Sequence, residues 1–354
     1  MKITDIDKNF LQKSADEDTA WIDAKSHPFK IYGVIYDDEN AEFTRMPKNV
    51  STMVSENVAS LSRNTAGGRL TFRTNSTNIS IKYSFPNLGI MSHMPITGSN
   101  GVAIYVDGVF KQCLRPIWVD YNNGETVSFT AKEFIGGNGQ MKDIKIYFPL
   151  YGGVKDFYIG LDNGSELEKA DEYTYTNPVV YYGSSITQGG CASRPGNDYE
   201  SHIERWLNAD FVNLGFSGSA KGELAVADYI VSLNPSVVVM DYDHNAPDVA
   251  HLKNTHYTFY KRIRLALPQT PIIFVTKPDY YSDVEDNDKR REVIKNTYLQ
   301  SIQEGDKLTD YIDGKTLFGD EDYDACTVDS CHPNDLGFYR MAKTIYPHVK
   351  KFIK

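Results

Sequence analysis

Ser185 stands in Gly183-Ser184-Ser185-Ile186-Thr187, directly after the apolar run Val179-Val180-Tyr181-Tyr182 and ahead of Gly189-Gly190. A hydroxyl at a strand tip can attack an acyl carbon, but serine is a weak nucleophile until a base takes its proton. Asp329-Ser330-Cys331-His332 offers that base. A separation of three places both side chains on one side of a turn, so the carboxylate accepts the imidazole Nδ1–H and leaves Nε2 facing Ser185. Pro333 restrains the backbone of His332.

Acyl transfer also needs donors where charge develops on the carbonyl oxygen. Three are on offer: the N–H of Ser185, the N–H of Gly218 in Asn213-Leu214-Gly215-Phe216-Ser217-Gly218-Ser219, and the side-chain amide of Asn245 in Asp241-Tyr242-Asp243-His244-Asn245. Taken singly, Gly218 reads as a tight turn and Asn245 as a helix cap. Their order, each just past an apolar run, makes them a set with Ser185, Asp329 and His332. His244 is given no catalytic role. Thr187 occupies the place of the second glycine of a Gly-x-Ser-x-Gly elbow, which excludes the α/β-hydrolase arrangement.

These groups need a scaffold that gathers strand ends. From about residue 176, short apolar runs at 179–182, 211–214, 237–240, 272–276 and near Ile312 alternate with helix-length amphipathic stretches near 199–207, 223–233, 254–267, 288–304 and 336–346. Such alternation predicts a parallel sheet with helices on both faces, which binds ligands outside the carboxyl ends of its strands. Residues 69–161 alternate apolar and polar positions instead, at 70–73, 79–83, 102–106, 126–129 and 144–148. Turn signals at Asp107-Gly108, Asn122-Asn123-Gly124 and Gly136-Gly137-Asn138-Gly139 separate them, as a β-sandwich requires. The polar stretch 162–171 divides the chain into a sandwich over 1–170 and a catalytic α/β domain over 171–354.

A length of 354 residues suits about two domains of roughly 150 residues. A net charge of −10 leaves no basic field to gather phosphates, so nucleic acid is not an expected partner. No run approaches the roughly 18 apolar residues of a membrane span, and Met1-Lys2-Ile3-Thr4-Asp5-Ile6-Asp7 lacks the apolar core of a secretory signal. A cytoplasmic location is expected, or a secreted one if a leader was removed. Cys113, Cys191, Cys326 and Cys331 show no zinc-ligand spacing, so no metal is expected; the thiols read as free, with a Cys326–Cys331 pair as the alternative. The 24 tyrosines read as packing residues.

On these residues the C-terminal half resembles the SGNH or GDSL hydrolase superfamily. Gly183-Ser184-Ser185-Ile186 stands for the family's Gly-Asp-Ser-Leu, Gly218 for its oxyanion glycine, Asp243-His244-Asn245 for Gly-x-Asn, and Asp329 to His332 for Asp-x-x-His. Ser184 and Asp243 depart from the pattern. The first half is similar to the β-sandwich that precedes some such domains, with Gly101-Val102-Ala103-Ile104-Tyr105 as a loose form of its Gly-x-Asp-Leu-Tyr signature. The resemblance implies a flavodoxin-like three-layer α/β domain behind a jelly-roll-like sandwich. Covalent catalysis needs no cofactor, and the chain shows no long apolar lid for a fatty acyl chain, so the expected substrate is a short acyl ester, acetyl above all, of a sugar or small metabolite. An acyltransferase using the same residues is the nearest alternative, and a non-catalytic carbohydrate-binding protein a second. Arg194 and His93, the latter in Met91-Ser92-His93-Met94-Pro95, are the expected substrate contacts. The oligomeric state is left open.

Overall fold

The computed structural model describes residues 18–86, 89–116, 127–278 and 280–354. Two antiparallel sheets form the first half. One runs β3 (Ile35–Asp37), β4 (Glu42–Thr44), β11 (Lys155–Asp162), β6 (Asn78–Phe85) and β9 (Val127–Phe134), with β1 (Thr19–Asp23) beside β11. The other runs β12 (Leu167–Glu168), β5 (Arg69–Thr74), β10 (Lys142–Tyr147), β7 (Val102–Val106) and β8 (Val109–Leu114), with β2 (Lys30–Tyr32) beside β5. Alternation explains the packing: Ile79, Ile81 and Tyr83 of β6 point inward while Lys82 is exposed, and they meet Leu70, Phe72, Ile144 and Ile146 of the facing sheet. Asp107 (φ 50°) and Gly108 (φ 78°) make the expected tight hairpin between β7 and β8. The turn expected at Asn122-Asn123-Gly124 and the start of the strand at Thr126 lie outside the described residues.

The second half is a five-stranded parallel sheet in the order β14 (Ala209–Gly215), β13 (Tyr175–Gly183), β15 (Val237–Asp241), β16 (Ile272–Val275), β17 (Thr309–Ile312). Counted within this domain the order is 2-1-3-4-5, the flavodoxin-like winding. Alternate residues of the apolar runs serve opposite faces. Val179, Tyr181, Val237 and Val239 pack with helices Tyr199–Leu207 and Asp335–Phe352, while Val180, Tyr182, Val238 and Met240 pack with helices Leu224–Ser232, Val249–Ala266 and Val284–Gln303. The last helix outruns its sequence expectation. Pro347 does not end it, because Val349 and Phe352 continue the buried stripe of Phe338, Met341 and Ile345.

Gly183 lies opposite both Gly215 and Asp241, so β13, β14 and β15 end level and deliver their next loops side by side. The sandwich is bolted to this edge. Two short helices, α1 (Lys48–Val54) and α2 (Glu56–Ser62), which the sequence reading did not find, leave the sandwich and place Val58 in the core of the α/β domain. Just before them, buried Arg45 donates to the carbonyls of Leu61, Asn64 and Gly215 and to Asn213 Oδ1. Burial pulls its guanidinium down to about 9, since no carboxylate among the described residues pairs with it. Arg69 pairs with Asp210, and Lys145 and Tyr147 with Glu204, across the same junction.

Candidate active site

The loop after β13 turns back at once, and a glycine lets it. A Cβ on Gly183 would stand 2.0 Å from Thr187 Oγ1 and 2.5 Å from the Asp241 carbonyl, so glycine is required here for space. The loop is then pinned from beneath. Thr187 donates to buried Asp241 at 3.2 Å, Asn213 Nδ2 donates to the Thr187 carbonyl at 2.6 Å, and burial raises the Asp241 carboxyl to about 7. Ser184, where the family pattern has Asp, accepts the Ile186 N–H at 3.1 Å and is buried.

Ser185 Oγ is 2.9 Å from His332 Nε2, and His332 Nδ1 is 2.8 Å from Asp329 Oδ2. The other Asp329 oxygen accepts the N–H groups of Cys331 and His332 at 3.1 and 2.7 Å. Burial works against the Asp329 charge, but these bonds hold the carboxyl below its ordinary value. The bond with the Cys331 thiol raises His332, burial opposes it, and Asp329 adds to the rise. Cys331 is no disulfide partner of Cys326: all four thiols are free, Cys326 is buried, and Cys331 Sγ lies 3.1 Å from His244 Nε2. Against its own burial, His244 and His332 bring that thiol down to about 7.

The expected oxyanion donors gather at the same strand ends. Gly218 adopts φ 66°, a conformation that favours glycine, and is exposed. Among the described residues neither its N–H nor that of Ser185 has an acceptor. Asn245 donates one amide hydrogen to the Phe216 carbonyl at 2.7 Å, which holds the side chain beside the Gly218 loop and leaves its second hydrogen available. Asp243, the other departure from the family pattern, is buried and accepts the Lys277 N–H at 3.1 Å, while Arg290 donates to the carbonyls of Asp243 and Ala246 at 3.0 Å. The Asn245 turn is thereby fixed from behind.

The sandwich reaches the site with residues that sequence reasoning missed. The Tyr151 hydroxyl lies 3.3 Å from the Ser185 carbonyl and 2.8 Å from Ser217 Oγ. Gln188 takes the Ser217 N–H at 3.1 Å and donates to Asn64 Oδ1 at 3.0 Å. Nothing in the local sequence marks Tyr151 or Asn64, because their partners lie on another domain. His93 is brought in as expected of its loop: it is exposed, with its ring 5.3 Å from that of His332. The Arg194 guanidinium lies 3.9 Å from the Phe110 ring on β8, and among the described residues it makes no bond to Ser185 or His332. A cavity of about 300 Å³ between Tyr32, Tyr105, Lys145 and Arg205 belongs to the domain junction rather than to Ser185. No helix among the described residues is long and apolar enough to cross a membrane.

Residues 176–350 match the GDSL-like lipase/acylhydrolase family, and residues 19–167 match the family of N-termini of SGNH-hydrolase-type esterases. No curated protein matches the chain. A structure from Bacteroides ovatus described as a GDSL-like lipase is 26% identical, with 94% of this chain and 98% of that one covered and a TM-score of 0.82. A salicylyl-acyltransferase from a tetracycline biosynthetic pathway shares the fold at 17% identity, covering 95% and 98% with a TM-score of 0.76. A family two carbohydrate esterase from Cellvibrio japonicus does so at 13% identity, again covering 95% and 98%, with a TM-score of 0.64.

Proposed function

The chain belongs to the GDSL-like, or SGNH, hydrolases that carry an N-terminal sandwich, and from that premise we propose that it is a serine carboxyl-ester hydrolase. Its substrate in this reading is a short acyl ester, acetyl above all, of a sugar or small metabolite. The observation that carries the reading is the unbroken chain from Asp329 through His332 to Ser185, at 2.8 and 2.9 Å. Ser185 attacks the ester carbonyl as His332 Nε2 takes its proton. His332 then protonates the leaving alcohol, and Asp329 steadies the imidazolium. The N–H groups of Ser185 and Gly218 and the free amide hydrogen of Asn245 receive the oxyanion. Water repeats the sequence on the acyl-enzyme, so the reaction needs no metal or organic cofactor.

Two features support a short acyl group. Met94 packs against the nucleophile loop, its Cε 3.2 Å from where a Cβ of Gly190 would be, and His93 stands against His332, so the sandwich loop narrows the approach to Ser185. The fold shared with carbohydrate esterases supports a sugar as the alcohol.

Acid release from acetylated sugars, short and long p-nitrophenyl esters and acetylated aromatics, measured for wild type and Ser185→Ala, tests the reading. Serine-dependent release that favours acetyl over long chains is the expected result. Release that survives Ser185→Ala refutes it. Silence across the panel while a phosphonate still labels Ser185 turns the reading to an acyltransferase, in which an acceptor alcohol replaces water. Failure to label as well leaves a non-catalytic binding protein.

A further inference from the structure

Three segments far apart in the chain converge beside the nucleophile. His93 comes from the sandwich loop, Cys191 from the end of the nucleophile loop, and His332 from the turn before the last helix. One ligand atom of each, a ring nitrogen or the Cys191 sulfur, lies within 4.8 Å of both others. The Cys191 thiol donates to the His93 carbonyl at 3.5 Å, which ties the two segments together. Sequence spacing alone gives no hint of this group, because no two of its members are neighbours in the chain.

We propose that His93, Cys191 and His332 form a binding site for a borderline-soft divalent cation, Zn²⁺ above all, whose occupation switches the enzyme off. Two imidazoles and one thiolate are a donor set suited to zinc and poorly suited to magnesium or calcium. Bond lengths of about 2.0–2.3 Å to a tetrahedral ion put neighbouring ligand atoms roughly 3.5 Å apart, so a closure of about 1 Å completes the site. Exposed His93 gives the ion its way in, and the fourth position stays open to water. On binding, the Cys191 S–H bond breaks, the electron pair stays on sulfur as the metal ligand, and the proton leaves to solvent; nothing is oxidised or reduced. Whichever nitrogen of His332 turns to the ion is withdrawn from Ser185 or from Asp329, so metal binding and catalysis exclude each other. The inhibitory half of the proposal rests on His332 being the base; the binding half does not.

Asp329, Cys331 and His332 also lie within reach of one ion, which makes Cys331 the control. Zn²⁺ alone is titrated against ester hydrolysis by wild type, Cys191→Ala, His93→Gln and Cys331→Ala. Co²⁺ is added to the same proteins and to Ser185→Ala while thiolate-to-cobalt absorption is followed. The expected result is inhibition of wild type that a chelator reverses, with a half-inhibitory Zn²⁺ concentration raised at least about tenfold by Cys191→Ala and by His93→Gln, since even changes behind a ligand cost that much. Assayed above the acid limb, where His332 is neutral in both proteins, Cys331→Ala keeps wild-type sensitivity, and the cobalt–thiolate band appears in wild type and Ser185→Ala and is missing from Cys191→Ala. Insensitivity of the wild type, equal sensitivity of all variants, or a band that vanishes with Cys331 rather than Cys191 overturns the proposal. If wild type hydrolyses no ester, the proposed function falls and the cobalt spectra still decide the site. His93→Gln, an exposed change, keeps the test open should Cys191→Ala fail to fold.

Discussion

The nucleophile loop and the acid–base turn solve the problem of placing a side chain in different ways. The loop from Gly183 to Gly190 is largely buried, and its anchors, Asn213, Asp241, Asn64 and Tyr151, come from both domains. The turn from Thr327 to His332 is exposed at Val328, Asp329 and Ser330 and largely holds itself: Asp329 accepts from three groups of its own turn, and Val328 N–H bonds the His332 carbonyl at 3.0 Å, with the Cys331 contact to His244 as its tie to another loop. A candidate nucleophile fixed by the whole molecule thus meets a candidate base fixed by local chemistry. Damage far from Ser185 should therefore disturb attack more than it disturbs proton transfer.

The largest expected effect sets the scale. Ser185→Ala should lower kcat by roughly 10⁴-fold or more while leaving His332 bonded to Asp329; full activity in the variant would dismiss both halves of the comparison. Asn245→Ala comes next. Losing one oxyanion donor costs roughly 10²–10³-fold in kcat, whereas a loss under about tenfold would reduce Asn245 to a brace for the Phe216 carbonyl. Tyr151→Phe is the sharpest probe of the contrast, since it deletes only the hydroxyl that the sandwich lends to Ser185 and Ser217. One buried hydrogen bond is worth about 0.5–1.5 kcal/mol, so kcat should fall by up to about tenfold with KM unchanged. If only the melting temperature moves, the sandwich supports the loop without positioning the nucleophile.

The smallest effect concerns the base. The proposed mechanism needs neutral His332, and its pKa is raised, so activity should fall, as pH drops, at a higher pH than an ordinary histidine near about 6.5 would give. Because the Cys331 thiol is the first cause of that rise, Cys331→Ala should move the acid limb of the kcat/KM profile to lower pH. A profile that does not shift would show that Asp329 alone sets the base.

What could be read from the sequence follows the same division. Ser185, Gly218, Asn245, Asp329 and His332 each carry a local signature, a residue type at a strand end or before a helix, and the structure brings them to one edge of the sheet. The parallel sheet was equally legible, since buried apolar runs of strand length are hard to mistake. Tyr151, Asn64 and Arg45 were not, because their meaning lies in partners on another domain. Helices Lys48–Val54 and Glu56–Ser62 escaped for a related reason: each is about two turns long, too short to show a period, and is stabilised by the α/β domain it covers.

Arg45 has a consequence for how such a protein can be built and divided. Its cation is neutralised by no carboxylate among the described residues and is met by carbonyls and one side-chain amide drawn from both halves of the chain, with the Phe216 ring 4.8 Å away. Separation of the halves would strand that charge and leave the end of β14 without its donor, beside the loops of the candidate site. Heating should accordingly melt the protein in one calorimetric transition rather than two. A gene fragment encoding residues 171–354 would inherit every candidate catalytic side chain and still lack the ground they stand on, so the two modules are expected to travel through evolution as a single piece.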